Sequence, residues 1–452
     1  SILNSGNIGT QPKKGFAGIF LADVNNLNMN VKNNTVANNG YIGVFFNGRN
    51  ISVENNFISN SCFILDDCGG IYTNDDGSLS HGGNKIIGNI IKDSIGNYAG
   101  TSYSASKNSQ AEGIYLDDRA GNVTVSGNTM INTNRGIFLH NAFNNIVTNN
   151  NIFKARKNGL IFVENDNFNG LTKNNVITDN IFLGTSTEEA LIKHNAWGAN
   201  TDFGVYNSNY YGHFYYDYLM ARSGTGSGNF SLPLWQSNTG QDASSKNIGD
   251  YYKVEPYKAV PSGSNLVLNE TFDQNINSWR KWSSDNTAST SWISSCGLDG
   301  GCLKVKMSAA SSLLISNDFP VSSGKTYQVN LSVIASQPDN NFQVIVRKGS
   351  PNYEAYGSKT YAVSDSRKEI SFTFANAADV SNARLDIQNS IANAEYYIDN
   401  VSIKEASVNW NDQSDDAGIY YNTSKNSQSL DLHGGKYCDV DGMNSQKSAG
   451  EG

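Results

Sequence analysis

Short apolar runs, each opened by a glycine and closed by polar residues, recur along the first part of the chain. They start at Gly18 (GIFLAD), Gly43 (GVFFNG), Gly70 (GIYTND), Gly113 (GIYLDD), Gly136 (GIFLHN) and Gly159 (GLIFVEN). The steps between those glycines are 25, 27, 43, 23 and 23 residues. A second pattern, apolar–x–small or polar–Asn–x–apolar, alternates with the first: VKNNTV, VENNFI, IIGNII, VSGNTM, VTNNNI and ITDNIF. It sets Asn34, Asn56, Asn89, Asn128, Asn150 and Asn180 at one equivalent position. Two short strands per unit of this length, with no helical period, describe a solenoid whose coils bury their apolar side chains only by stacking. An Asn repeated at one corner can hydrogen-bond its equivalents above and below and so satisfy buried turn amides. Leucine-rich repeats do not fit, because Leu is scarce at fixed positions. Propellers do not fit either, because the period is about half the roughly 40–45 residues of a blade. The pattern predicts a parallel β-helix.

The step of 43 holds one coil plus an excess, mainly Asp93–Ala111, with a smaller insert around Gly77–Asn84. Insertions in solenoids emerge as loops from one face, often the binding face. From about Thr185 to Val260 the repeat decays into aromatic-rich sequence ending in LPLWQSNTGQDASS, as expected of a terminal unit covering the last coil. A linker is expected around Pro261–Ser264. Alternating segments such as YQVNLSVIA, FQVIVRK, ISFTFA and YYIDNVSIK then predict a β-sandwich over residues 265–406. Residues 407–452 begin a further small β unit. The chain opens in mid-pattern at Ser1 and stops in mid-motif at Gly452, as a piece of something longer would.

Composition narrows the setting. Charged residues make up 16% of the 452, below the roughly 25% of average soluble proteins, and Asn, Ser, Thr and 43 glycines replace them. The 23 Tyr and 20 Phe exclude disorder as the reason for that polarity. A net charge of -8 without a basic run excludes nucleic acid as an expected partner. No apolar stretch reaches the roughly 18 residues of a spanning helix. Cys62 with Cys68 and Cys296 with Cys302 bracket short loops, which predicts two local disulfides and a secreted or cell-surface protein. Cys438 is left over.

GGIYTNDD, EGIYLDD and GIFLHNAFNNIVTNNNIF resemble strands of right-handed β-helix glycosidases and related polysaccharide-active enzymes, over residues 1–260. That resemblance implies a right-handed β-helix acting on a glycan. NLVLNETFDQNINSW, GGCLKV and YYIDNVSIKE resemble carbohydrate-binding modules of the four/nine/twenty-two type, over 265–406. This second resemblance implies a structural calcium held by Asp273 and Asp399, although Asp399-Asn400-Val401 stands where the family has Asp-Asp-Val.

Registered on their glycines, the strands place Asn74 and Asp75, then Asp117 and Asp118, then His140 and Asn141, on successive coils. Coils are separated by roughly 4.7–4.9 Å, so such carboxylates fall near the roughly 5–9.5 Å separation used in glycoside hydrolysis. One carboxyl, its pKa raised by like charge, can protonate the leaving oxygen while another activates water. Asp117 and Asp118 are the first candidates, with Asp75 as partner, Glu112 as acid and His140 as an orienting group. Tyr72, Tyr115, Asp76, Arg119 and Glu164 are candidate substrate contacts, with Tyr103 on the neighbouring insertion. The competing structural reading is that Asp-Asp caps a turn or binds a stabilising cation. No Cys/His cluster has zinc-ligand spacing. In the sandwich, Trp279, Trp282 and Trp292 are candidate stacking platforms, one of them expected in the core. Tyr353 and Tyr356 can add an aromatic surface.

Together these features predict an extracellular polysaccharide-degrading glycoside hydrolase with a glycan-binding module. A lyase or epimerase acting on uronates is one alternative, with Arg119, Arg135, His140 and Lys154 available to it. A non-catalytic adhesin or filament protein is the other.

Overall fold

The computed structural model describes all residues except 6–16, 22–26, 76–81, 97–109, 165–171, 185–189, 197–203, 214–218, 224–227, 249–256, 309–310, 389–390, 411–428 and 430–452. Two compact units divide it, Ser1–Val254 and Glu255–Gln413.

The first unit is a parallel β-helix. The coils stack their strands into three sheets, of nine, nine and seven strands among the described residues. One sheet collects the glycine-led strands, including Val44–Phe46, Cys68–Thr73, Ala111–Leu116, Arg135–His140 and Leu160–Glu164. The other two take the strands before and after the repeated Asn, for example Val123–Ser126 and Thr129–Ile131. Successive coils pair in parallel with in-register apolar positions, such as Ile71 with Ile114 and Ile114 with Ile137. Only the closing pair, Met220–Ser223 with Gly228–Phe230, is antiparallel among the described strands of these sheets. These side chains form one continuous core running from Val31 to Trp235. The leading glycines are enforced by packing: a Cβ at Gly136 would lie 2.4 Å from the Gly159 carbonyl and 2.6 Å from Ile152.

The repeated Asn residues form the predicted ladder. Each Oδ1 accepts from the backbone N–H and from the side-chain amide of the preceding Asn, at 2.9–3.1 Å from Asn34 through Asn180. The amides also donate to coil carbonyls, as Asn128 does to Ile86 O at 2.8 Å. Asn56, Asn89, Asn128, Asn150 and Asn180 are buried, and Asn34 at the first coil is half-buried. The residue before each ladder Asn is left-handed, with φ from 53° to 65° at Asn33, Asn55, Gly88, Gly127, Asn149 and Asp179. That requirement explains the small or polar position of the motif, since Asn, Asp and Gly tolerate this backbone.

The ladder runs one rung further than the sequence pattern, to Asn209, which Asn180 reaches at 3.0 Å. It ends in the terminal segment, where Ser245 Oγ accepts the Asn209 N–H and Asp242 accepts its side-chain amide. Asp242 is buried and also takes the Trp235 indole N–H at 2.9 Å. Trp235 belongs to the helix Leu232–Thr239, which is closed by a left-handed Gly240. A terminal unit over the last coil was expected, and this segment is one. His194 lies buried against Tyr206 there, at 2.7 Å, in a structural role.

The second unit is a sandwich of two six-stranded antiparallel sheets around its own core. Tyr257–Ser262 pairs with the end of Glu395–Trp410, so the chain enters the sandwich a few residues before the expected start at 265. The expected last unit, Cys438 included, lies outside the described residues apart from the end of that strand and Ser429. Both expected disulfides are formed, Cys62–Cys68 and Cys296–Cys302.

Asn128→Ala should destabilise the β-helix by about 3 kcal/mol, because it strands the buried Asn89 amide and leaves the Ile86 and Ser126 carbonyls without its donor. Asn34→Ala, at a half-buried position to which no described Asn donates, should cost under ~1 kcal/mol. Chemical denaturation of both variants checks this; equal losses would deny the ladder its role.

Candidate functional site

The register carries chemistry just past the glycine-led strands. Thr73 pairs with Leu116 and Leu116 with Leu139, so the next residues along, Asn74, Asp117 and His140, succeed one another across the coils. The backbone keeps pairing beyond the strand ends: Asp117 N–H donates to Thr73 O at 2.9 Å, and Asp75 N–H to Asp118 O at 2.8 Å. Arg119 turns the chain in the left-handed region, φ 61°, with its N–H on Asn141 O. Leu116 faces the core, so strand alternation sends Asp117 to the outer face that Tyr72 and Tyr115 also occupy.

A line of three polar groups results. The Tyr72 hydroxyl donates to Asp117 Oδ2, and His140 Nδ1 meets Asp117 Oδ1 at 2.7 Å. Asp118 accepts the Asn141 amide at 2.9 Å and stands 3.6 Å from His140 Nδ1. Burial alone would raise the Asp117 carboxyl, but the hydrogen bonds from His140, Tyr72 and the Asp118 backbone overcome it and hold it below its usual range. Burial pulls His140 down, and the Asp117 carboxylate outweighs this, so the imidazole keeps its proton to higher pH than usual. Burial and the Asp117 charge push the Tyr72 phenol far up, so it stays a donor.

This geometry revises several expected roles. The sequence placed a proton on one carboxyl of the acidic cluster, with Glu112 as the acid; around Asp117 the shifts run the other way, its carboxyl lowered and the His140 imidazole raised. Tyr72 and Tyr115 were expected to contact substrate, but they are buried, 1% and 3% exposed. They belong to an outer aromatic stack, Phe20–Phe45–Tyr72–Tyr115–Phe138, with ring centroids 4.6–5.6 Å apart. Tyr41 and Leu65, the latter in the Cys62–Cys68 loop, pack over that stack. Glu112 sits at the far end of the Asp117 strand, about five residues or ~16 Å away, and cannot be its partner acid. It is fully buried, bonded by Arg135 at 2.6 Å, with burial pushing its carboxyl up to about 7 against the pull of Arg135. Asp75 is buried beside the line. Asp76, Tyr103 and most of the Asp93–Ala111 insertion lie outside the described residues, as does the Glu164 side chain. Asp117, Asp118 and His140 present ligand atoms within 4.8 Å of one another.

The sandwich adds a second surface. Trp279 is a core residue, donating to Leu268 O at 3.2 Å, so it is no platform. Trp282 and Trp292 are exposed, 49% and 39%. Trp282 pairs with Leu313, Leu313 with Gln388, and Gln388 with Gln343 across four strands of one sheet. One row along this face, Asp386 lies beside Ile345; one row further, Arg384 lies beside Arg347, and the exposed Tyr353 ring covers both guanidiniums. Gln343, Gln388, Arg347, Arg384 and Asp386 were missed in the sequence, where alternation marked them only as the polar side of strands.

Asp273 and Asp399, the expected calcium ligands, are close enough to repel. Asp399 is fully buried and its Oδ2 lacks a hydrogen-bond partner. Burial raises its carboxyl to about 6, opposed by the Asn400 N–H and reinforced by the charges of Asp299 and Asp273. A buried, unpartnered carboxylate oxygen that feels the charge of two further carboxylates is a donor set a hard cation would suit.

Residues 264–392 match the model of a family described as a carbohydrate binding domain, so the second unit contains a carbohydrate-binding module. The N-terminal cellulose-binding domain of Cellulomonas fimi β-1,4-glucanase C is 18% identical, with a TM-score of 0.26, covering 32% of this chain and 97% of that one. The xylan-binding domain from Paenibacillus barcinonensis Xyn10C is 14% identical, with a TM-score of 0.27, covering 32% and 97%. The enzymatically active domain of tailspike protein 4 from bacteriophage CBA120 is 13% identical, with a TM-score of 0.27, covering 80% of this chain and 55% of that one. No curated protein sequence matches the chain.

The His140 proton tests the polar line directly. In wild type its NMR titration should lie above the usual value of about 6.5, and Asp117→Asn should lower it, because the strongest opponent of burial is then removed and only the weaker charges of Asp118 and Asp67 remain. A titration indifferent to Asp117→Asn would break the line.

Proposed function

We propose that the protein is an extracellular glycan-cleaving enzyme whose sandwich binds the polysaccharide and whose β-helix hydrolyses it. The carbohydrate-binding module supports the first half, and the two disulfides suit an oxidising, extracellular setting. The Tyr72–Asp117–His140 line is the observation that carries the second half. Tyr72 holds Asp117 in place, and Asp117 fixes the imidazole by its Nδ1, which leaves Nε2 as the proton-delivering atom. His140 as imidazolium gives that proton to the leaving glycosidic oxygen. Asp118 has the more exposed side chain, 29% against 11% for Asp117, and as a carboxylate takes a proton from the attacking water. The bond from the anomeric carbon to the leaving oxygen breaks as water's oxygen bonds to that carbon.

The same Asp-held imidazole favours a second reading. In its neutral form it can abstract the proton α to a uronate carboxylate, with Arg119 beside Asp118 available to the substrate anion. A screen of neutral and uronate glycans, scoring new reducing ends and unsaturated products separately, decides between them. Reducing ends without unsaturation support hydrolysis; unsaturated products support elimination; neither, across the screen, leaves a binding protein. On a confirmed substrate, His140→Gln and Asp117→Asn should each lose about 10²–10⁴-fold in rate while folding normally. Wild-type rates in both would remove the site.

In the sandwich, Asp399 and Asp273 would hold a calcium ion, with Asp299 adjacent, and the ion would neutralise their mutual repulsion rather than take part in chemistry. Added calcium should raise the melting temperature of wild type and leave that of Asp399→Asn unchanged, in line with a ligand that binds only the folded state. An unchanged wild type would exclude the site.

A further inference from the structure

One outer face of the sandwich, the one that carries Trp282, Gln343 and Gln388, has an uneven charge count that bears on which polysaccharide it would take. Asp386 is fully buried at the centre of the face. Arg347 contacts its Oδ2 through both Nε and Nη2, and Arg384 reaches the same oxygen from Nη2 at 3.0 Å, with its Nε 3.0 Å from Oδ1. Two guanidiniums, with about ten N–H donors between them, therefore share one carboxylate. Both are largely withdrawn from water, their side chains 18% and 9% exposed. Among the described residues no second carboxylate is paired with either guanidinium, so the group carries a surplus positive charge where solvent screens it weakly.

Tyr353 fixes the pair from the other side. Its ring centroid lies 5.6 Å from the Arg347 guanidinium and 5.1 Å from that of Arg384, and the ring remains 47% exposed. Cation–π contact orients both guanidiniums in advance but does not neutralise them. Along the same face, the Gln388 and Gln343 amides and the exposed Trp282 suit sugar hydroxyls and a sugar face. A neutral chain would satisfy these groups and leave the surplus charge uncompensated. A chain bearing carboxylates would satisfy both, because a guanidinium fork matches a carboxylate in shape and charge.

We propose that this face selects a carboxylate-bearing polysaccharide, with Arg347 as the residue that reads the uronate. Arg347 is the more exposed of the two arginines and stands at the strand next to the Tyr353 loop, so it is the one an incoming carboxylate meets. The inference rests on the reading of the sandwich as glycan-binding, and its failure is separable from failure of that reading.

The experiment is affinity electrophoresis and titration calorimetry of the full chain, carrying His140→Gln to prevent turnover. The probes are polygalacturonate, its methyl-esterified form, and the neutral polymers xylan and cellulose oligosaccharides. Polygalacturonate should bind at least tenfold more tightly than its esterified form, and rising salt should weaken it. Arg347→Gln should remove most of that preference while circular dichroism stays unchanged. Gln keeps a polar, uncharged hydrogen-bonding group in place of the guanidinium, and a parallel Tyr353→Phe variant, which keeps the ring over both guanidiniums, should retain the preference. Binding of neutral polymers with no gain from carboxylates would overturn the inference and leave the glycan-binding reading standing. A preference that survives Arg347→Gln would overturn the assignment to Arg347. No binding to any of these polymers would overturn both.

Discussion

A turn amide that leaves water must find an acceptor, and in this protein nearly everything else follows from how that demand is met. The Asn ladder gives each coil its acceptors from the coil beside it, through Asn56, Asn89, Asn128, Asn150, Asn180 and Asn209. An amide left unmet in such a corner costs on the order of 1–3 kcal/mol, so coil spacing and register are held at every turn. Slipping a coil by one residue would turn its apolar side chains outward and break the ladder at once. The terminal segment meets the same demand at the open end, where Ser245 and Asp242 accept from the last Asn. A second, shorter set at another corner, Asn145 to Asn175 at 3.1 Å, repeats the solution.

Fixed register is also what makes the polar line. Tyr72, Asp117 and His140 come from three separate coils, and none is positioned by its own loop alone. The outer face would ordinarily be wet. Here the aromatic stack and the Cys62–Cys68 loop dry it, and a carboxylate so placed survives only with donors on both oxygens. Those donors fix the direction of proton traffic: away from Asp117 and onto the imidazole. Glu112 shows the contrasting outcome on the same strand. It too is buried, but it meets a permanent cation in Arg135 and becomes part of the wall.

Much of this could be read from the residues. Glycine spacing located the strands of one sheet, and the Asn motif located the corner, because both reflect constraints that act at every coil. The pairing of Asp117 with His140 was visible as a shared offset from Gly113 and Gly136. Its meaning was not visible, because protonation depends on how dry the surface is, and that depends on a loop folding over from another coil. Tyr72 and Tyr115 were misjudged for the same reason: an aromatic residue on an outward position looks like a binding surface until its cover is known. In the sandwich, Trp282 and Trp292 were readable as aromatics. The Arg347–Asp386–Arg384 group was not, since its members come from two strands far apart in sequence and look like ordinary exposed charges. Asn209 escaped notice because its flanking tyrosines, Tyr206 and Tyr211, replaced the apolar residues of earlier coils.

The central claim is that His140, held by Asp117, delivers the proton that breaks a glycosidic bond. The pH dependence of kcat/KM on a cleaved glycan tests it most directly, since this reports the ionisations of the free enzyme. The raised His140 ionisation predicts activity that persists through pH 6.5 and falls at higher pH, as the imidazolium is lost. Asp117→Asn should shift that fall to lower pH. A profile whose upper limb is the same in wild type, Asp117→Asn and His140→Gln would contradict the account.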